Sequence, residues 1–111
     1  MGAKGAKKWG PVSKLHPTSR RFFGVLDRIK SLHLKKAHDY GSDQDPLANI
    51  RQCQAFGLDP KLGVFYRLSD KFFRLAAFFR KGELKNEPVE DTLLDIASYA
   101  VIMFVLMEED G

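Results

Sequence analysis

The chain has a single cysteine, no acidic residue before Asp27, few β-branched residues and no apolar run longer than Ile96–Met107. Each shortage excludes something. One cysteine cannot close an intramolecular disulfide or build a multi-cysteine metal site, which fits a reducing compartment. The apolar run falls short of the roughly 20 residues needed to cross a bilayer, and its C-terminal position is not that of a secretory signal. Val, Ile and Thr together number 12 against 13 leucines, and no segment alternates apolar and polar residues long enough for a strand. A soluble cytoplasmic protein with an all-α fold is expected, without membrane contact.

What is present fits one small domain: 111 residues, 44% hydrophobic and 29% charged. The formal charge of +4 is unevenly spread. Residues 1–21 carry Lys4, Lys7, Lys8, Lys14, Arg20 and Arg21 without an acid, and subtracting that +6 leaves −2 for residues 22–111. Residues 1–17 also hold three glycines and two prolines, and read as a flexible basic arm ahead of a single helical domain over 18–111. The arm is either a solubilising tail or a DNA contact in which Trp9 stacks on a base.

Beyond the arm, local signals predict a compact bundle of about four helices. The first spans about Ser19–Asp39, capped by Thr18 or Ser19, with Phe22, Leu26, Ile29 and His33 at helical spacing. Asp45-Pro46 opens a short helix over about 46–55, which ends at Gly57. Asp59-Pro60 repeats that start signal for a helix reaching about Lys81, whose stripe is Phe65, Leu68, Phe72, Leu75 and Phe79. The last helix begins near Asn86 or Glu87, with Pro88 in its first turn and a stripe of Val89, Leu93, Ile96, Ala100, Met103 and Met107. From Ile96 to Met107 its only polar groups are Ser98 and the Tyr99 hydroxyl. A helix apolar all round has to be covered on more than one side, so it is expected at the centre of the bundle or across a homodimer interface.

The chain has no phosphate-binding glycine loop, no HExxH and no nucleophile elbow. His33 and His38, five apart, do not share a helix face, and Cys53 reads as a small buried apolar residue. Charge is the informative feature. Glu87, Asp91 and Asp95 recur every four residues with Ser98 continuing the row, and Arg67, Lys71 and Arg74 line one face of the preceding helix beside Asp70. Clustered carboxylates suit a hard cation such as Mg²⁺, and an Arg/Lys face suits phosphate oxygens. The plainer reading is that the acids favour the helix dipole and the basic face is solvated or salt-bridged to those same acids.

The segment Asn86 to Ala100 (NEPVEDTLLDIASYA) resembles the NES-EDTLLDLANYA signature of the phage and bacterial family called nucleotide modification associated domain 1. Two upstream blocks are similar to that family's motifs as well: KAHDYG (Lys36 to Gly41) to K-x-x-DYG, and Asp70-Lys71 with Arg74-Leu75 to DK-x-x-RL. The likeness covers about residues 30–107. It implies an association with phage nucleotide metabolism and DNA modification, and a distant likeness to the MazG/dUTPase class of all-α nucleoside triphosphate pyrophosphatases, which cleave between the α- and β-phosphates with Mg²⁺.

Carried onto this sequence, the resemblance implies Asp91 and Asp95, with Glu87 and Asp70, as metal-binding and catalytic carboxylates. It implies Lys71 and Arg74 as phosphate ligands, and Asp39 with Tyr40 closing the pocket. Pro88 stands where the family has serine and Ser98 where it has asparagine. The EExxE helix of the pyrophosphatases has no counterpart, because the region around the first two helices supplies only Asp27, Asp39, Asp43 and Asp45. Three readings follow: a Mg²⁺-dependent nucleotide hydrolase in the host cytoplasm, a non-catalytic nucleotide or nucleic-acid-binding module, and an oligomeric structural protein.

Overall fold

The computed structural model describes Pro11 and residues 14–110. It is 80% helical, with four α-helices and no strand among the described residues, so the all-α expectation holds. Most of the predicted arm, including Trp9, lies outside the described residues. Helix α1 spans Pro17–Tyr40, α2 Ala48–Arg51, α3 Pro60–Lys81 and α4 Val89–Asp110, with a 3₁₀ turn over Gln52–Phe56 directly after α2. Close backbone contacts group the chain into Met1–Leu32 and His33–Gly111.

In the first unit, α1 begins two residues earlier than Ser19. His16, not Thr18 or Ser19, supplies the cap: its Nδ1 accepts the Thr18 N–H at 3.1 Å. Pro17 then occupies the first helical position, where its missing N–H costs nothing. The apolar residues of this part of α1 are mostly exposed, Phe22 at 64% and Leu26 at 40%.

The second unit is built on the pairing of α3 with α4. Lys61 meets Asp110, Lys71 meets Asp95 and Arg74 meets Glu87. Partner numbers fall on α4 as they rise on α3, so the two helices form an antiparallel hairpin. Local chemistry explains the span of α3. The Asp59 carboxylate accepts the Lys61 N–H at 2.9 Å, Pro60 opens the helix, and Gly82 (φ 80°) closes it by donating its N–H to the Phe78 carbonyl at 2.7 Å. Helix α4 starts after Pro88 rather than including it.

The predicted helix over 46–55 is instead one turn of α2 followed by the 3₁₀ turn. Asp45 still acts as a start signal, since its Oδ1 accepts the Leu47 N–H at 2.9 Å and its Oδ2 binds Arg51 Nε at 2.8 Å. This segment delivers Leu47 and Ile50 to a core completed by Val64 and Leu106, with Leu68, Tyr99, Ile102 and Met103 packed against it. Cys53 is half-buried, its Sγ 3.6 Å from the Ile50 carbonyl and 3.7 Å from that of Leu58.

Candidate functional site

The antiparallel register of α3 and α4 brings the basic residues of one helix against the acids of the other. Asp95, in the second turn of α4, is bracketed by two ammonium groups: Lys71 Nζ from α3 at 2.8 Å from Oδ2, and Lys36 Nζ from the last turns of α1 at 3.2 Å from Oδ1. Both Lys71 and Asp95 are largely withdrawn from water, with side chains 19% and 20% exposed. Lys36 Nζ also lies 5.9 Å from the centre of the Tyr99 ring, within cation–π range. Two residues before α4, Glu87 pairs with Arg74 and accepts the Thr92 hydroxyl at 3.0 Å. Thr92 is fully buried, so this bond satisfies a hydroxyl that no solvent can reach.

The two carboxylates respond alike. Desolvation alone would raise the Asp95 carboxyl, but the hydrogen bonds and charges of Lys71 and Lys36 outweigh it and hold it below the ordinary aspartate range. At Glu87 desolvation likewise pushes up, and Arg74, Thr92 and the charge of Lys71 together bring the carboxyl below its usual value. Both acids are therefore anionic at neutral pH and already carry cationic partners.

Lys71 with Asp95 and Arg74 with Glu87 are thus ion pairs between successive helices, the plainer of the two readings of the charge pattern. The other expected residues stand apart from these bonds. Asp91 and Asp70 are exposed, and neither carboxylate has an ion pair among the described residues. Arg67 and Ser98 are half-buried. Asp39 pairs with the neighbouring His38 at 3.2 Å, and Tyr40 is 61% exposed. It is Lys36, three residues before Asp39, that reaches the network from the KAHDYG block. Sequence reasoning missed it, together with Thr92 and Tyr99. The available signal was that Lys36 heads one of the blocks that resemble family motifs, while Thr92 and Tyr99 lie inside another.

The sequence pattern groups Glu87, Asp91 and Asp95 as a Mg²⁺ set. Among the described residues no three His, Cys, Asp or Glu side chains group to hold a metal ion. Mg²⁺ commonly needs only one or two protein carboxylates when substrate phosphates complete its shell. Asp91 and Asp95 lie one turn apart on α4, and both oxygens of Asp95 are engaged by Lys36 and Lys71. A cleft of about 220 Å³ opens beside the network, lined by Arg74, Leu84, Lys85, Asn86 and Glu87.

A second cavity of about 450 Å³ lies at the other end of the hairpin, bordered by Arg51, Asp59, Lys61, Leu106 and Asp110. Its cations are engaged. Arg51 bridges Asp45 and Glu109 at 2.8 and 2.7 Å, and Lys61 bridges Asp59 and Asp110. These bonds tie α2 and the start of α3 to the end of α4.

The chain matches no family model, and neither the curated proteins nor the solved structures give a match. Among the described residues, no helix is long and apolar enough to cross a membrane.

Proposed function

We propose that the network around Asp95 binds the phosphates of a nucleotide together with Mg²⁺, and that the protein is a nucleoside triphosphate pyrophosphohydrolase of phage-type nucleotide metabolism or DNA modification. The observation that carries this reading is the bracketing of Asp95 by Lys36 and Lys71. Two ammonium groups supply one carboxylate with the same charge a divalent cation would bring, and they come from two sequence blocks that resemble separate motifs of one nucleotide-associated family. An arriving phosphate competes for those lysines. Lys71 and Arg74 would turn to phosphate oxygens, freeing Asp95, which with Asp91 would hold Mg²⁺. The chemistry Mg²⁺ would supply there is neutralisation of phosphate charge, which would favour attack of water on the α-phosphorus with release of pyrophosphate. Lys71 and Arg74 then stabilise the charge that grows on the leaving phosphates.

The second reading, a non-catalytic nucleotide-binding module, is favoured by one observation: Asp95 and Glu87 are each neutralised within the chain, and Asp91 alone remains unpaired among these three acids. As further partners we propose DNA, contacted through the basic arm, and a second copy of the chain. The test is to incubate the protein with Mg²⁺ and a panel of canonical and modified deoxynucleoside triphosphates, and to follow pyrophosphate release and melting temperature. Turnover that Asp91→Asn abolishes supports the hydrolase. A nucleotide-dependent rise in melting temperature without turnover supports the binding module, and no response in either sinks both. For the arm, deletion of residues 1–17 is expected to weaken DNA binding and flatten its salt dependence.

A further inference from the structure

The pairs that join α3 to α4 define a contact line on each helix: Val64, Leu68 and Lys71 on α3, and Asp95, Tyr99, Ile102 and Leu106 on α4. At 100° per residue, Phe65, Phe72 and Phe79 lie roughly 60–100° round α3 from that line. Ile96, Ala100, Met103 and Met107 lie about 80–140° round α4 in the same rotational sense, with Leu93 and Phe104 at about 160–180° on its outer edge. In an antiparallel pair, equal rotations in one sense lead to the same side. The two apolar stripes therefore share one face of the hairpin.

The opposite flank is the one already occupied. A Cβ on Gly63 would meet Cys53 Sγ at 3.5 Å, Arg51 reaches Glu109 there, and Arg74 meets Glu87 on the same side. The apolar face has no such cover. Phe65 is 63% exposed, Phe72 54%, Phe79 77%, Phe104 65% and Met107 56%. Between Leu62 and Phe79 on α3, and between Val89 and Met107 on α4, no charged residue falls within it.

We infer that this face is a homodimer interface, formed when two α3–α4 hairpins pack face to face into a four-helix bundle. Area supports it. The exposed rings and side chains named above present on the order of 700 Å² of apolar surface. That exceeds the largest patch usual on a monomer and approaches the ~800 Å² per partner of a stable interface. Shape points to the occupant. A single docked helix fills only the groove between two helices and leaves the outer rings in water, whereas a second hairpin of the same width and stripe spacing covers both ridges. The arrangement is isologous, so one two-fold axis closes it. Lys71 and Asp95 lie on the contact line between the helices and Arg74 and Glu87 on the opposite flank, so these pairs stay intact in each copy.

The inference stands on the exposed face and does not require the nucleotide reading. Light scattering on the full chain at 50 µM is expected to give twice the 12.6 kDa protomer mass. Phe72→Glu and, separately, Met107→Glu are expected to weaken association at least 100-fold while keeping the helical circular dichroism. Phe56→Glu, an 82% exposed site on the 3₁₀ turn, is expected to leave the dimer intact. Because the network is elsewhere, any nucleotide-induced melting shift should persist in folded monomeric Phe72→Glu. A wild-type monomer at 50 µM overturns the inference, as does a dimer that survives both glutamate substitutions. Wild-type protein that is monomeric but binds anionic vesicles assigns the face to lipid instead.

Discussion

Asp95 is held by two lysines at once. Its carboxylate is drawn below the ordinary range because two lysines, from α1 and α3, outweigh the cost of its partial burial. The folded chain therefore takes up this proton at lower pH than the unfolded chain does. The stabilisation is complete above the ordinary carboxylate range and is lost as pH falls below about 4 through the depressed native value. Asp95→Asn should lower stability by about 2 kcal/mol at pH 7 and flatten the decline of melting temperature between pH 6 and 3. A wild-type acid limb retained in Asp95→Asn would place the titration elsewhere. The acids and bases of this network were readable in the sequence at their helical spacings. Which base faces which acid was not, because charge spacing along one helix carries no information about the register of its neighbour.

At the scale of elements, boundaries written in local chemistry were legible and those set by contacts were not. Asp59-Pro60 and Gly82 delimit α3 as expected, since a carboxylate cap, a proline lacking N–H and a left-handed glycine act within one turn. The turn after Arg51 tightens to 3₁₀ winding, and no residue type there announced it. Gly41 belongs to the second kind. A Cβ at this position would lie 2.6 Å from the backbone oxygens of both Ala37 and Pro46, so only glycine lets the loop fold back against the end of α1. Gly41→Ala is expected to cost about 2 kcal/mol of stability, read as a lower denaturant midpoint. Because Lys36 sits one turn upstream, the substitution should also loosen its bond to Asp95.

At the scale of the whole molecule, the core is small and the apolar surface large. Leu47, Ile50, Val64 and Leu106 form the buried cluster, while the aromatic residues of the α3 stripe face outward. Leu106→Ala, at a position 3% exposed, should destabilise by about 3 kcal/mol. The expected signature is a shifted denaturant midpoint with an unchanged slope, since the surface exposed on unfolding hardly alters. The same contrast bears on α4. Its apolar C-terminal half is covered on one side by α3 and the core, while Val101, Phe104 and Met107 stay exposed.

The sequence by itself determined the helical class, the limits of α3 and the existence of two apolar stripes, because capping, helix propensity and 3.6-residue periodicity are local properties of the chain. The residues that gather at the phosphate-binding candidate were marked there too, as charges of opposite sign on successive helices. Only the tertiary structure decided that Lys36 joins them, that Asp95 is bracketed, and that both stripes fall on one uncovered face. Those outcomes depend on the antiparallel register of α3 against α4 and on the side of the hairpin that α2 covers, and long-range packing sets both.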